Sequence, residues 1–197
     1  PIELSIWPHQ QSGKQIFSAF IRDITDRKQR EQVVWLHANF DALTGLPNRR
    51  LLVNRLELAI TQAIANETEV ALLFIDLDRF KPVNDVYGHA VGDELLRLVA
   101  FRLQSVLREG DTVARLGGDE FIALLPGLKV NDPLPRQTAE KISNALTQSF
   151  LIHEYVITIS GSIGIALFPH DAADADTLLN SADKAMYSSK KGMPRER

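Results

Sequence analysis

Carboxylates at the ends of apolar runs are the first chemistry this sequence offers. Asp76 and Asp78 follow the run Leu72–Ile75, and Asp119 and Glu120 sit in a Gly117-Gly118-Asp119-Glu120 turn between two apolar segments. A carboxylate at a strand end, close to a second one on a neighbouring hairpin, suits a hard divalent cation. Mg²⁺ takes one or two protein carboxylates and fills its shell with water and substrate phosphates. Taken alone, the Gly-Gly turn reads as an ordinary hairpin whose acids face solvent. Its conjunction with Asp76 and with the stretch from Phe80 to Asp93 points to metal-assisted chemistry instead.

That stretch joins the strand ending at Asp76 to a helix starting near Asp93. Loops between a strand and a helix bind phosphates through backbone N–H groups, and Lys81 adds a mobile positive charge. Asn84 and Asp93 supply an amide and a carboxylate of the kind that read a guanine edge. A carboxylate accepts from both N1–H and the N2 amino group of guanine, whereas adenine has no N1–H donor. Asp93 also fits a plain helix cap. The chain contains no G-x-x-x-x-G-K-[ST], no G-x-G-x-x-G and no H-E-x-x-H, so P-loop, simple dinucleotide-binding and zinc-protease chemistries find no support.

The elements that must position these residues follow from periodicity. Residues 2–8 and 15–24 are short strand-like runs around a polar turn, His9 to Lys14, containing Gly13, which predicts a hairpin. Thr25 suits a helix cap with Asp26 in the first turn, and Val33, Leu36 and Phe40 recur at helical spacing, giving a connecting helix over 26–40. Asn48 suits the cap of a helix carrying Leu51, Leu52, Leu56, Ala59, Ile60 and Ala63. Val70–Ile75 reads as a buried strand. Asp93–Arg108 reads as a helix ended by Gly110. Thr112–Leu116 and Phe121–Leu125 read as strands, Pro126–Pro135 as loop, Gln137–Phe150 as helix, Tyr155–Ile159 and Ser162–Phe168 as strands, and Asp176–Lys190 as the last helix. Helices and hairpins around one sheet make an α/β (α+β) body with one core.

Composition narrows the class further. The 197 residues are 45% apolar and 24% charged, which is globular composition. With 25 acidic against 22 basic side chains the net charge is −3, so the chain is no polycationic nucleic-acid binder. The absence of cysteine excludes disulfides, thiolate zinc sites and a cysteine nucleophile. No apolar stretch approaches the roughly 20 residues of a membrane helix. A cytoplasmic, reducing compartment is expected, which leaves room for a membrane tether elsewhere in a full-length protein.

The motifs together resemble a family. Asp41-Ala-Leu-Thr-Gly-Leu-Pro-Asn-Arg-Arg50, Asp76-Leu-Asp78, Phe80-Lys81, Asn84-Asp85, Tyr87-Gly88-His89, Gly92-Asp93, Arg115-Leu-Gly-Gly-Asp-Glu-Phe121, Ser160-Gly-Ser-Ile-Gly164 and Ala182-Asp183-Lys-Ala-Met-Tyr187 occur in the order and spacing of GGDEF diguanylate cyclases. The resemblance covers about residues 41–192 and implies a palm-like fold, with a mostly antiparallel central sheet flanked by helices as in nucleotide cyclases. It implies condensation of two GTP into cyclic di-GMP with loss of two pyrophosphates. By position, Asp76 and Asp119, with the Leu77 carbonyl, would bind Mg²⁺ or Mn²⁺, and Glu120 would lie near the ribose 3′-hydroxyl. Asn84 and Asp93 would read guanine. Phe80, Lys81 and Lys190 would complete the substrate site, the lysines holding phosphates with backbone N–H groups around Arg79–Lys81. Arg108-Glu-Gly-Asp111 matches the family's R-x-x-D product-inhibition motif. A homodimer is implied, because each domain holds one GTP.

The match is incomplete at both ends. The family's terminal lysine is usually followed by Gly-Arg-Asn, which Lys190–Arg197 does not reproduce, and Arg195 is the candidate replacement for that arginine. Residues 1–25 resemble the last strands of a PAS-like sensor domain, leaving 26–40 as a signalling helix and 41–197 as the GGDEF domain. A non-catalytic module that binds GTP or cyclic di-GMP for a neighbouring EAL phosphodiesterase domain is the alternative function.

Overall fold

A computed structural model describes residues 1–11 and 14–192. Gly13, expected in the first turn, and Arg195 lie outside the described residues. The chain divides into two compact units, Pro1–Ala38 and the residues from Asn39 onward. Among the described residues, no helix is long and apolar enough to cross a membrane.

In the first unit, β1 (Ile2–Gln11) pairs antiparallel with β2 (Lys14–Asp23), in register from Ile2↔Asp23 to Gln11↔Lys14. Pairing thus continues through residues expected in the turn, since an exposed polar strand forms as long as its ladder is satisfied. Helix α1 covers Thr25–Asn39. Its cap differs from expectation: Asp23 accepts from both the Thr25 N–H at 2.8 Å and the Thr25 hydroxyl at 2.6 Å. These bonds favour the ionised carboxylate and hold Asp23 below the ordinary aspartate range.

The second unit is a mixed α+β body around a central antiparallel sheet flanked by helices. Its four strands lie in the order β4 (Thr112–Gly117), β5 (Glu120–Leu128), β3 (Glu69–Asp78) and β8 (Ser160–Phe168), each antiparallel to its neighbour. Strand β3 is buried on both faces, which explains its continuous apolar run. Its Val70, Leu72 and Phe74 pack with α2 (Arg49–Asn66) and α6 (Ala175–Gly192). The alternate residues Ala71, Leu73, Ile75 and Leu77 pack with α3 (Phe80–Tyr87), α4 (His89–Val106) and α5 (Leu134–Thr147). Asn48 caps α2 as expected, its side chain accepting from the Leu51 N–H at 3.1 Å.

Three expectations need correction. The stretch 80–93 is helical rather than loop, because Phe80, Val83 and Val91 are buried and Pro82 falls in a first helical turn, where its missing N–H costs little. Helix α4 therefore begins at His89, with Gly88 as its N-cap, so Asp93 is interior and caps nothing. At its other end α4 stops at Val106, where Leu107 is already extended, ahead of Gly110. Helix α5 ends at Thr147, and Phe150 begins a short strand, β6 (Phe150–Ile152), paired with β7 (Tyr155–Ile157). The stop is imposed by Arg102 of α4, which donates to the carbonyls of Ala145, Gln148 and Ser149 at 2.7–3.2 Å and lies 3.5 Å over the Phe150 ring.

Helix α6 lies tight against β8 at Gly164. A Cβ there would come within 2.0 Å of the Met186 backbone nitrogen and 2.3 Å of the Ala182 carbonyl oxygen. Backbone atoms cannot step aside, so Gly164→Ala is expected to push α6 off the sheet and lower stability by about 1–3 kcal/mol. Chemical denaturation measures this directly, and an unchanged midpoint would contradict the packing described.

Candidate active site

Period two along β3 carries Asp76 and Asp78 to the same face as Val70, Leu72 and Phe74, the side covered by α2 and α6. Both acids belong to the strand itself, beyond the expected end of the apolar run. Their partners separate them. Asp78 accepts from the Ser160 and Ser162 hydroxyls at 2.8 and 2.7 Å, tying β8 to β3. Asp76 meets the Lys190 ammonium of α6 at 2.5 Å.

The β5 register sets Glu120 opposite Asp76, on the same face as the buried Ile122 and Leu124. Asp119 occupies the two-residue turn with Gly118, whose φ of +53° is the left-handed conformation such a turn requires. The Leu77 N–H donates to the Asp119 carbonyl at 3.2 Å, holding the turn beside β3. Asp76, Asp119, Glu120 and Lys190 are thereby gathered from two strand ends, one turn and one helix.

The charges press on one another. Burial, then the negative charge of Asp76, raises Asp119 above the ordinary aspartate range against the pull of Lys190 and Arg115. Glu120 is raised by burial and by Asp76, Asp119 and Asp183. Burial opposes the charge on Lys190, but its bond to Asp76 and the nearby Asp78 and Asp119 charges prevail and raise it. Such crowding favours an added cation. Among the described residues no three His, Asp or Glu side chains form a ready-made metal cage. Mg²⁺ needs none, since water and substrate phosphates complete its shell. The donor set therefore fits that ion.

The remaining expected site residues sit on α3 and α4. Lys81 and Asp93 are exposed, and Asn84 is half-buried with its amide against Gly92. Phe80 is only 8% exposed and packs in the core. Its ring is thus part of the core, near Gly92, rather than an open contact surface. Arg108 and Asp111 precede β4, at the end of that strand opposite the Gly118 turn, about 20 Å away by strand rise. They bind each other: Arg108 Nε reaches Asp111 Oδ1 at 3.0 Å and a second guanidinium nitrogen donates to the Pro126 carbonyl at 2.9 Å. The Asp111 side chain is 2% exposed and Arg108 47%. Beside them a cleft of about 400 Å³ is lined by Arg55, Asp111 and Thr112 among others.

Sequence reasoning assigned no role to Asp41 and Arg115, which form the clamp on the acidic turn. The Arg115 guanidinium donates to Asp41 Oδ1 at 2.9 Å and twice to the Gly118 carbonyl, at 2.7 and 3.1 Å. Asp41 also accepts from the Thr44 N–H at 2.9 Å and its hydroxyl at 2.6 Å. The Asp-x-x-Thr spacing of a side-chain-capped turn was the available signal.

Comparison with known proteins gives the family. The chain matches the diguanylate cyclase GGDEF domain family over residues 38–196 and belongs to it. It is 49% identical over 151 residues to MucR, a bifunctional diguanylate cyclase/cyclic di-GMP phosphodiesterase of Pseudomonas aeruginosa, a match covering 76% of this chain and 22% of that protein. Diguanylate cyclase TpbB of the same species is 42% identical over 166 residues, covering 84% of this chain and 38% of TpbB. The chain thus spans between about a fifth and two fifths of these curated relatives. The solved GGDEF domain of TpbB superposes with a TM-score of 0.75 at 41% identity, covering 78% of this chain and 90% of that one. The coiled coil and GGDEF domain of DgcB from Caulobacter crescentus, solved in complex with c-di-GMP, gives 0.77 at 27% identity, covering 86% and 89%.

The clamp has a pH signature. Burial opposes ionisation of Asp41, but the Thr44 and Arg115 hydrogen bonds prevail and hold it below the ordinary aspartate range. A depressed folded value contributes stability above the unfolded pKa of about 3.9 and loses it as pH falls through the folded value. Asp41→Asn is expected to cost about 1–2 kcal/mol at pH 7. In denaturation series the difference from wild type should narrow as pH falls below the unfolded value and through the depressed folded one. A cost independent of pH would remove the ion pair from the account.

Proposed function

We propose that this chain is a diguanylate cyclase domain that condenses two GTP into cyclic di-GMP and two pyrophosphates. The observation carrying the reading is the Asp76↔Glu120 register, which sets two acids side by side with Asp119 in the adjoining turn and Lys190 facing them. In each of two steps a ribose 3′-oxygen bonds to the α-phosphorus of the other GTP, the bond to pyrophosphate breaks, and the hydroxyl proton leaves. Glu120, raised toward neutrality by burial and its acidic neighbours, is suited to take that proton. Asn84 and Asp93 read guanine. Lys81 and Lys190, with N–H groups at the start of α3, hold the phosphates. Asp76, Asp119 and the Leu77 carbonyl would hold Mg²⁺ or Mn²⁺, which supplies neutralisation of charge developing on the phosphates. The protein's share is preorganisation, since Arg115 fixes the acidic turn before substrate arrives.

Each domain offers one such site, so turnover needs two domains face to face in a homodimer. The bifunctional name of MucR supports an EAL phosphodiesterase neighbour in the full-length protein. Arg108 and Asp111 form the product-inhibition site, with the exposed guanidinium offered to a phosphate or guanine edge and the buried carboxylate holding it in place.

Incubation of the purified chain with GTP and Mg²⁺ should give cyclic di-GMP, identified by mass. Asp119→Ala should cut turnover at least about a hundredfold with native circular dichroism. Near-normal activity in that variant would refute the assignment. Arg108→Ala should leave the rate at low product unchanged and raise the product level that stops synthesis, within the roughly 5–150-fold range of site coupling. Unaltered product affinity would return Arg108 to a structural role.

A further inference from the structure

Two of the closely approached glycines of the second unit, Gly164 and Gly92, differ in what approaches them. At Gly164 an added Cβ would meet backbone atoms. At Gly92, in the first turn of α4, it would meet only side chains: Asn84 Oδ1 at 1.8 Å, Asn84 Cγ at 2.9 Å and Phe80 Cζ at 3.4 Å. Glycine is a poor helix residue, yet here it keeps no backbone contact that alanine would break. What it keeps is the space in which one carboxamide lies.

The rest of Asn84 is already fixed. Its carbonyl accepts from the Gly88 N–H at 2.9 Å, and the Gly88 carbonyl accepts from the Gly92 N–H at 3.2 Å, so the end of α3 and the start of α4 are tied through one corner. Phe80 and Val83 of the same helix are buried. With the backbone pinned, only the side-chain torsions of Asn84 remain, and the bare Cα of Gly92 decides where its amide rests. The next residue, Asp93, is exposed and has no hydrogen-bond or ion-pair partner among the described residues.

We infer that Gly92 is a specificity-determining positioning residue: its missing Cβ seats the Asn84 carboxamide beside Asp93, in the orientation that selects guanine over adenine. The inference rests on the proposed reading of Asn84 as a base-recognition residue. It makes Gly92 act through Asn84, without touching the nucleotide.

The test measures binding of GTP and ATP analogues with a methylene in the α–β bridge, so that no pyrophosphate leaves, by calorimetry on wild type, Gly92→Ala, Asn84→Ala and the double variant. Gly92→Ala should weaken the guanosine analogue roughly fivefold to tenfold, the scale of a lost hydrogen bond. The adenosine analogue should be unaffected, and the melting temperature should barely change, since a rotatable amide can move aside. Asn84→Ala should cause the same loss. In the Asn84→Ala background the Gly92 substitution should then cost nothing further, because the Cβ has room. A fold lost in Gly92→Ala and restored in the double variant would make Gly92 a packing residue and overturn its role in selectivity. An unchanged nucleotide ratio in Gly92→Ala, or a loss in the double variant beyond that of Asn84→Ala alone, overturns the inference while leaving the role of Asn84 standing. An unchanged ratio in Asn84→Ala removes the base-reading assignment, and this inference with it.

Discussion

Strand β3 lies in the middle of the sheet with helices on both faces, so its side chains must be apolar until the covering helices run out. At that point the strand turns polar, and period two places Asp76 and Asp78 on one face rather than two. A half-buried carboxylate is costly without a partner, and the neighbouring elements supply one for each. Ser160 and Ser162 satisfy Asp78, and Lys190 meets Asp76. One acid thus becomes a structural tie while the other is held by an ion pair with Lys190. The same constraint that ends the core builds the site.

A cluster of like charges holds its shape only if the backbone beneath it is rigid. Asp119 and Glu120 are both raised by burial and by their acidic neighbours, so the hairpin carrying them stores repulsion. Arg115 answers it from below, bonding the Gly118 carbonyl twice while anchored to Asp41, and the Leu77 N–H holds the far side of the turn. These contacts keep both carboxylates half-buried near Asp76 instead of relaxing into solvent. Preorganisation of this sort is what transfer of a phosphoryl group requires, because little covalent help from side chains is needed.

The close approaches follow the same division of labour. Gly164 lets backbone meet backbone, bringing α6 and with it Lys190 down onto the sheet. Gly92 lets a side chain lie flat against a helix, setting the direction of one amide. Removing the first room disturbs a layer; removing the second disturbs a rotamer. Arg102 plays a comparable part from α4, ending α5 by collecting carbonyls that the helix leaves without partners.

Much of this was legible in the residue order. The two-face burial of β3, the Asn48 cap, the apolar stripes of α2 and α4 and the Gly-Gly turn between β4 and β5 all follow from period and local turn chemistry. So does the gathering of Asp76, Asp119 and Glu120 at one end of the sheet. Helical structure over 80–93 was hidden by glycines at 88 and 92, which read as loop although Phe80, Val83 and Val91 carry a buried stripe. The end of α5 was hidden because its partner, Arg102, lies on another helix. The clamp on the acidic turn and the two serines that take up Asp78 were decided by tertiary structure alone. Periodicity records how near neighbours share a face, whereas the partner of a charge is chosen by folding: Asp41 and Arg115 are 74 residues apart, and Asp76 and Lys190 are 114 apart.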